Sequence, residues 1–412
     1  MCEYAEKGKN DIILVADKGK CCGCGACALV CPVHAISMDE EELGCLYPVI
    51  NHEICIKCGK CEKICSYKTD VVGRSNPQKT YVAATKKKDS LQYSASGGVF
   101  AAIADAFLKK SGVVFGCSME NVDGVLTPVH IGIQEDDELI KLQGSKYVQS
   151  DLTTTYQEVK KLLSQEKQVL FSGTPCQVAG LKAYLVNQDI SRLYTIDIIC
   201  HGVPSKKLFQ DYINELSKHW GKRVVDFSFR DKTFGWGAAS KVGYVSKVGC
   251  DSKAGYVTRM IPSELSSYYS LFLASEICRE SCYSCQYATS ERVGDITIGD
   301  FWCVEEEHPE YMAHQGGSFN TSEGISCLMV NTDYGKELVK EFGELLELKE
   351  SQYARVAKWN KQLCKPSECT QKRKQLIQIY RLKGWSGIEK QFRKDLGVRY
   401  YVRKIRNWVK MR

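Results

Sequence analysis

The sequence predicts three parts: a small cysteine-rich α+β domain, a larger α/β body built on a mixed sheet, and a helical basic tail. Two runs with the same cysteine spacing within residues 1–70 predict the first part. Short apolar runs that alternate with amphipathic stretches between residues 80 and 345 predict the second. The third follows from residues 371–412, which contain 14 Lys and Arg against two Asp and Glu.

The composition is that of a globular chain with an unusual number of cysteines. Of the 412 residues, 44% are hydrophobic and 25% are charged, which excludes a disordered chain. No apolar stretch approaches the roughly 18 residues of a membrane-spanning helix, and the apolar run at residues 12–16 is too short for a signal-peptide core. We therefore expect a cytoplasmic protein. Because a reducing cytoplasm does not preserve structural disulfides, the 22 cysteines point to metal or redox chemistry.

The two cysteine runs each follow the spacing C-x2-C-x2-C-x3-C, which is that of bacterial two-cluster ferredoxins. In this arrangement the first three thiolates of a run hold one cluster and the fourth reaches the other, so we predict a ferredoxin-like domain with two 4Fe-4S clusters. The first cluster would be held by Cys21, Cys24, Cys27 and Cys65, and the second by Cys55, Cys58, Cys61 and Cys31. Zinc is the alternative, but zinc ligands normally come as separate C-x2-C pairs. Cys22 and Cys45 fall off the spacing and are expected to be packing residues.

A boundary rich in Gly, Ser, Asn and Pro follows at residues 71–80, and the body begins there. Strands are predicted at 80–84, 112–116, 168–172 and 194–200, and helices at 97–110, 152–165, 177–187 and 205–220. A mainly parallel or mixed sheet with covering helices buries these faces most simply. Short strands broken by glycines predict an antiparallel insertion at 223–262, and a helix follows at 264–274.

Eight separated motifs fall in one order and resemble those of the coenzyme F420 hydrogenase/dehydrogenase beta-subunit family. They are CCGCGACALVCP, LYPVI, SASGGVFAAIA, GSKYVQSD, SGTPCQVAGL, CHGVPS, SCYSCQYA and RVGDITIGDFW, and they cover about residues 20–330. The resemblance implies a flavin-binding body that holds FAD and at least one further 4Fe-4S cluster. The expected parts are a dicluster domain at 1–70, two parts of the flavin body at 80–165 and 166–345, and the tail at 346–412.

Three turns of the body are the expected flavin contacts. Hydroxyls, free backbone N–H groups and a helix dipole suit a pyrophosphate where an apolar helix begins, although a plain helix cap is the alternative. A second turn offers a cation and an aromatic ring, and a third lies between a strand and a helix, where open sheets bind ligands. The residues are Ser94, Ser96, Gly97 and Gly98 in the first turn, Gly144, Lys146 and Tyr147 in the second, and Gly173, Thr174 and Pro175 in the third.

Four body cysteines are expected to hold a third 4Fe-4S cluster. Cys176 follows a strand-to-helix turn, Cys200 ends the next strand, and Cys282 and Cys285 form a C-x2-C pair. The resemblance assigns these motifs to the family's own cluster site, whereas the spacing alone leaves zinc or buried free thiols open. Cys278 is the substitute ligand. The other cysteines, at positions 2, 117, 250, 303, 327, 364 and 369, are expected to be small packing residues.

Three further body residues are candidates with two interpretations each. His201 stands beside Cys200 and either gives a proton to a flavin-bound substrate or is a structural donor. Asp295 and Asp300, in GDITIGDFW, either contact the flavin or cap turns.

The basic tail interleaves aromatic residues with Arg and Lys. One interpretation is a solvated helix face that docks on its own domain, and the other is contact with an anionic membrane surface or an acidic partner. Nucleic-acid binding is not expected, because the excess charge is confined to the tail and no motif supports it.

These features together predict an iron-sulfur flavoprotein oxidoreductase. FAD would link two-electron transfer with a small organic molecule, a deazaflavin coenzyme or another, to one-electron transfer through the clusters. The partner would be a ferredoxin or another redox protein. Two alternatives remain: an electron-transfer beta subunit of a larger hydrogenase or dehydrogenase complex without its own substrate, and a zinc-stapled scaffold.

Overall fold

The structure is a computed structural model that describes residues 12–152, 154–233, 235–237, 239–247 and 254–410. Cys2 and Cys250 of the predicted packing cysteines lie outside these ranges. The strands are β1 (Ile36–Glu40), β2 (Leu46–Ile50), β3 (Lys79–Thr85), β4 (Val113–Val122), β5 (Val125–Ile133), β6 (Val169–Gly173), β7 (Leu193–Ile198), β8 (Val224–Ser228), β9 (Ala239–Lys247), β10 (Ala254–Pro262), β11 (Ile296–Asp300), β12 (Ser326–Val330) and β13 (Leu346–Ser351).

The helices follow the predicted order. The α-helices are α1 (Ala26–Leu29), α2 (Lys60–Lys63), α3 (Val99–Lys109), α4 (Leu139–Leu142), α5 (Thr155–Ser164), α6 (Pro175–Tyr184), α7 (Lys206–Trp220), α8 (Ser267–Leu273), α9 (Val304–Glu307), α10 (Asp333–Phe342), α11 (Tyr353–Trp359), α12 (Gln371–Leu396) and α13 (Val398–Lys410). Short 3-10 helices connect them at Lys18–Lys20, Lys88–Tyr93, Asp136–Glu138, Ser263–Leu265, Glu280–Ser284, Pro309–Tyr311, Ala313–Gln315, Thr321–Glu323, Gly343–Leu345 and Lys361–Leu363.

The cysteine-rich region is a small α+β unit, as predicted. β1 and β2 form an antiparallel hairpin in which Ile36 lies opposite Ile50. The single-turn helices α1 and α2 each follow a glycine with positive φ, Gly25 at 77° and Gly59 at 70°. A side chain at either position would be strained, so glycine lets each chain segment turn directly into its helix.

The body is built on one mixed sheet of eight strands, in the order β13-β3-β12-β11-β7-β6-β4-β5. β4, β6, β7 and β11 run parallel to one another, while β12, β3, β13 and β5 add antiparallel pairs. Successive residues of β6 point to opposite faces: Val169 and Phe171 pack with α5 and α6, and Leu170 packs with α3 and α10. The expected α/β body with a mixed sheet is confirmed.

Two strands of this sheet were not predicted. β5 pairs with β4 through a turn at Asp123 and Gly124, both of which have positive φ, as a two-residue hairpin turn requires. β13 pairs antiparallel with β3. The segment predicted as a helical tail from residue 346 therefore begins as an edge strand of the sheet, and its helices start with α11.

The predicted antiparallel insertion is a three-stranded sheet in the order β10-β9-β8. An aromatic core joins it to α7, α8 and α12, and Tyr212, Phe227 and Tyr268 lie fully buried within it. Within the described part of the chain, no helix combines the length and the apolarity needed to cross a bilayer.

Candidate functional site

The eight cysteines of the dicluster motif line two separate small cavities in the predicted groups. A cavity of about 30 Å³ is lined by Cys21, Cys24, Cys27 and Cys65 among others. A second, of about 10 Å³, is lined by Cys31, Cys55, Cys58 and Cys61. Each cavity thus has three thiols from one run and the fourth from the other, which is the exchange that the spacing predicted. We call these groups the first and second tetrads.

The first tetrad is covered by the body, whereas the second faces outward. Burial raises the pKa of the Cys21 and Cys27 thiols. Their thiolates therefore need a stabilising positive charge, which a bound metal or a nearby cation would supply. Cys58 of the second tetrad is exposed, and Ile54 and Ile56 beside it expose 49% and 61% of their surface. The second tetrad is therefore the one closer to solvent.

Arg279 joins the body to the first tetrad. Its guanidinium is 1% exposed and donates to the carbonyl oxygens of Cys21, at 2.9 Å, and Leu46, at 2.7 Å. It also lies 4.5 Å from the ring centroid of Tyr47. Gly23, with φ of 68°, leaves the space that this side chain occupies, since a Cβ there would lie 2.7 Å from the guanidinium. A fixed positive charge therefore lies beside thiols that must become thiolates.

The four body cysteines also line one cavity, of about 40 Å³. Cys176 is in the first turn of α6, Cys200 follows β7, and Cys282 and Cys285 come from the segment after α8. β6 and β7 are parallel neighbours, so the elements that follow them meet at one edge of the sheet. We call these four residues the body tetrad. Cys278, the substitute, is buried but does not line this cavity.

The electrostatics of the body tetrad are dominated by burial and by one thiol contact. Burial raises the pKa of Cys285 to about 11 and that of Cys282 well above its usual range. A hydrogen bond from Cys22 lowers the pKa of Cys176 to about 7. Within the described ranges, no three His, Cys, Asp or Glu side chains converge as ligands of a single metal ion.

Cys22 connects the body tetrad to the first tetrad. Its buried thiol makes hydrogen bonds with Cys176 and Cys24, and these raise its own pKa well above the usual range. Gly180 in α6 permits the approach, because a Cβ there would lie 2.7 Å from the Cβ of Cys24. Cys22 was expected to be only a packing residue, and the structure instead places it between two groups of candidate ligands.

A larger cavity of about 370 Å³ opens at the carboxyl ends of β6, β7 and β11. Its wall includes Cys176, Cys200 and Cys282, so it shares three residues with the body tetrad. The candidate proton donor His201 lines it, and so do most of the predicted flavin contacts: Ser94, Ser96, Gly98, Gly144, Lys146, Tyr147, Gly173, Thr174 and Asp300. Residues from three distant turns and the body tetrad therefore meet at one cavity.

Three predicted contacts lie elsewhere. Gly97 packs against β3, where a Cβ would lie 2.5 Å from the carbonyl oxygen of Ala83. Pro175 begins α6 and lines the cavity of the body tetrad instead. Asp295 is 4% exposed and accepts hydrogen bonds from the backbone and hydroxyl of Thr195, so it ties neighbouring strands together. For Asp295 the geometry corresponds to a structural role.

The helix α3 and Lys146 make one end of the large cavity electropositive. α3 begins after Gly98, which has φ of 75°, and its first residues line the cavity. The N–H groups and dipole at such a helix start favour an anion. Lys146 donates to the carbonyl oxygens of Lys141 and Gln143, at 2.9 and 2.6 Å, and burial lowers its pKa to about 8. This end of the cavity suits a phosphate group.

Two family models match the chain. Residues 20–69 match the 4Fe-4S dicluster domain, and residues 166–355 match the C terminus of the coenzyme F420 hydrogenase/dehydrogenase beta subunit. Residues 166–355 belong to the coenzyme F420 hydrogenase/dehydrogenase beta-subunit family. The resemblance and the dicluster domain predicted from the cysteine spacing are both confirmed. The chain therefore combines a 4Fe-4S dicluster domain with a region that matches the C terminus of that beta subunit.

The curated relatives of the chain include proteins from Methanocaldococcus jannaschii and Methanosarcina mazei. The coenzyme F420-dependent sulfite reductase of Methanocaldococcus jannaschii is 28% identical over 171 residues, which are 41% of this chain and 26% of that protein. One subunit of the F(420)H(2) dehydrogenase of Methanosarcina mazei is 22% identical over 345 residues, which are 80% of this chain and 89% of that protein. The chain thus spans about a quarter of the length of the first relative.

A chain of one solved structure is also similar to this chain. A chain of the F420-reducing NiFe hydrogenase complex from Methanosarcina barkeri shares 15% identity with a TM-score of 0.43, over 76% of this chain and 95% of that chain.

Several residues of this site were not predicted from the sequence. Arg230 forms a bidentate ion pair with Asp300, at 2.9 and 3.1 Å. The Asp300 carboxylate that lines the cavity is therefore already ion-paired within the protein. Trp302 stacks on Trp236 at 5.0 Å and also lies under the Arg230 guanidinium. Among the described atoms, the Nε of Arg230 is buried without a hydrogen-bond partner. No local sequence motif predicts these residues, because their contacts form when the antiparallel insertion packs against the sheet.

His201 lines the cavity with both ring nitrogens engaged by the protein. Nε2 lies 3.0 Å from the carbonyl oxygen of Leu273, and Nδ1 lies 3.0 Å from the amide nitrogen of Gln362. Nε2 therefore carries the proton and Nδ1 accepts one from Gln362. Burial lowers the pKa of His201, which keeps the ring neutral. This geometry corresponds to the structural-donor interpretation.

Proposed function

We propose that the protein is an iron-sulfur flavoprotein oxidoreductase. It passes electrons between its ferredoxin-type 4Fe-4S clusters and an organic two-electron substrate, a deazaflavin coenzyme or another molecule, through FAD. The observation that carries the proposal is the continuity of the sites. The large cavity shares three cysteines with the body tetrad, and Cys22 joins that tetrad to Cys24 of the first.

The chemistry and the size of the large cavity support the proposal that it binds FAD. About 370 Å³ lies within the range of roughly 300–1,000 Å³ typical of ligand pockets. The start of α3 and Lys146 offer N–H groups and a positive charge to a pyrophosphate, while Tyr147 and Phe272 offer aromatic surface. A bound flavin supplies the exchange between two-electron and one-electron chemistry. In this proposal the protein would hold FAD in the cavity whose wall includes Cys176, Cys200 and Cys282.

The body tetrad is proposed to hold a third 4Fe-4S cluster. Four thiolates are the ligand set that iron-sulfur clusters take, and these four line one buried cavity. Arg292 is nearby in the same wall but is paired with Asp197 at 3.0 Å, so its charge is already balanced by a carboxylate.

The second tetrad is proposed as the point where electrons enter or leave. Cys58 is exposed, and Ile54 and Ile56 beside it give an exposed apolar surface. Lys68 pairs with Glu62 at 2.6 Å, which leaves Lys60 and Lys63 to give the rim a positive character. An acidic ferredoxin or a similar one-electron carrier would fit this surface.

A second candidate function is an electron-transfer beta subunit of a larger complex, with no substrate of its own. It is favoured by the relative from Methanosarcina mazei, which is a dehydrogenase subunit and which this chain covers over 89% of its length. The two candidates differ in whether the isolated chain exchanges electrons with an organic donor.

Purification without oxygen tests the proposal. We expect about twelve irons per chain, four for each of three clusters, and about one FAD released on denaturation. The isolated protein should transfer electrons from a reduced deazaflavin or another two-electron donor to an external ferredoxin. About eight irons per chain would mean that the third cluster is absent, and the absence of flavin after reconstitution would contradict the proposal that the protein binds FAD. Turnover only after another protein of the complex is added would favour the second candidate function, and zinc with little iron would contradict both.

A further inference from the structure

The helix α13 carries an apolar stripe that faces away from the rest of the protein. Val398, Tyr401, Val402 and Ile405 expose 77%, 67%, 58% and 65% of their surface. Their spacing of three and four residues places them on one face of the helix. Four large apolar side chains in a row at this exposure are unusual, since scattered single apolar residues are the rule on a protein surface. We call this face the α13 stripe.

Basic residues border the stripe on both sides. Residues 398–410 contain five Lys and Arg and no Asp or Glu. At 3.6 residues per turn, Arg399, Arg403 and Arg406 follow one border and Lys404 follows the other. The helix is therefore apolar on one face, positive along the borders, and without any compensating negative charge of its own.

The contacts that hold α13 on the body use its polar residues. Arg406 is paired with Glu264, and the side-chain amide of Asn407 donates to the same carboxylate at 3.3 Å. Tyr400 lies 5.5 Å from the guanidinium of Arg393 in α12. Tyr400 and Asn407 lie on the side of the helix opposite the stripe and Arg406 lies on one border, so these contacts leave the stripe facing outward.

We propose that α13 binds the surface of an anionic lipid bilayer and lies in its plane. The stripe would enter the boundary between head groups and acyl chains, and the flanking Arg and Lys would contact anionic head groups. A second copy of the chain fits less well, because pairing two stripes would bring ten positive charges together against only the two Glu264 carboxylates that pair with Arg406. An acidic protein would satisfy the charges but would need an apolar face of matching length. The bilayer supplies both chemistries at once.

Vesicle sedimentation with the full, cluster-loaded protein tests this inference. We expect at least about tenfold more binding to vesicles containing phosphatidylglycerol than to pure phosphatidylcholine, and the difference should shrink as salt rises. The double variant Val402→Asp and Ile405→Asp should abolish binding. The double variant Arg399→Gln and Lys404→Gln should weaken binding to the anionic vesicles by about fivefold per charge removed.

Leu382→Asp is the matched control. Leu382 lies on α12, is 81% exposed and is outside the stripe, so its substitution should leave vesicle binding unchanged. Unchanged visible absorbance of the clusters and unchanged helical circular dichroism will show that each variant is folded. Equal binding to both kinds of vesicle, or to neither, would overturn the proposal. A dimer that the stripe variants convert to a monomer, without vesicle binding, would assign the stripe to self-association instead.

Discussion

In the dicluster domain, three cysteines of each tetrad come from seven consecutive residues, whereas the body tetrad draws on three separated segments. Three ligands of the first and second tetrads need only a tight turn and a single-turn helix after Gly25 or Gly59, and the fourth comes from the other run. The body tetrad needs β6 and β7 side by side and the segment after α8 folded over their ends. One kind of site is built by local spacing and the other by sheet topology.

This difference has a consequence for dependence on the rest of the fold. A locally built site can assemble even where distant packing is disturbed, while a topological site requires that the sheet is already formed. The two regions nevertheless touch, through Cys22, Gly180 and Arg279. Substitutions within each tetrad and at their junction can therefore show how independent the two regions are.

The largest effect is expected from Cys282→Ser in the body tetrad. A serine oxygen is a poorer ligand than a thiolate for a soft iron-sulfur site, so the body cluster should be lost, with about four irons per chain. Electron transfer from a reduced flavin to the dicluster domain should slow by about 100-fold or more, while the paramagnetic resonance signals of the dicluster domain should persist. Iron assay, spectroscopy and stopped-flow absorbance measure these three quantities.

The control for Cys282→Ser is Cys369→Ser. Cys369 is exposed and outside every tetrad, so iron content and transfer rate should stay unchanged. Normal iron and transfer in Cys282→Ser itself would show that this residue is not a ligand.

A smaller effect is expected from Cys58→Ser in the second tetrad. About four irons should again be lost, and reduction of an external ferredoxin should fall about tenfold, because the exposed tetrad is the proposed exit. Transfer from flavin to the first tetrad should continue at its normal rate, since the body is built without this site. Loss of the body cluster as well would mean that the two regions do not assemble independently. Stopped-flow reduction with and without ferredoxin separates the two steps.

The sequence predicted the local sites better than the assembled ones, for a physical reason. Cysteine spacing specifies the first two tetrads because three ligands of each lie within a few turns of chain and the repeated spacing supplies the fourth from the other run. β5 was missed because Pro128 and the Gly and Asp around it look like loop punctuation, although the Asp123–Gly124 turn is a hairpin signal. Arg279 and Arg230 were missed because their partners are distant in sequence. Such contacts leave no periodic pattern.

The junction between the regions is tested by Gly180→Ala, where a moderate loss of stability is expected. The added Cβ would lie 2.7 Å from the Cβ of Cys24 and from the hydroxyl of Tyr156, both in the packed interface with α6. Overpacking of this kind typically costs about 1–3 kcal/mol of unfolding free energy. Denaturant unfolding of the cluster-loaded protein, without oxygen, measures the change.

Gly343→Ala is the matched control for that substitution. Its φ is −62°, and a Cβ there meets no atom closer than 3.6 Å, so stability should stay unchanged or rise slightly. A loss at Gly343 as large as that at Gly180 would mean that the interface with Cys24 is not the cause.

The smallest effect concerns Lys146, in the wall of the large cavity. Burial lowers its pKa to about 8, so its amine is charged below that pH and neutral above it. An anionic ligand gains from the charged form, and its affinity should therefore fall as pH rises through about 8. The folding stability of the ligand-free protein should change in the opposite direction, rising with pH. Since the unfolded chain keeps the ordinary pKa of 10.5, it binds more protons between about 8 and 10.5, and stability should rise with pH across that window.

Flavin titration of the apoprotein at pH 7 and pH 9 measures the first of these trends. We expect the affinity to drop by about fivefold over this interval, a cost of about 1 kcal/mol, which is modest for a charge at the edge of a solvated cavity. Lys146→Met should lower the affinity at pH 7 by a similar factor and remove the dependence on pH. Lys141→Met, on an exposed lysine that pairs with Glu138, should preserve both. If Lys146→Met kept the pH dependence, the titrating group would lie elsewhere in the cavity wall, and the phosphate end of the proposed flavin site would have to be moved away from this lysine.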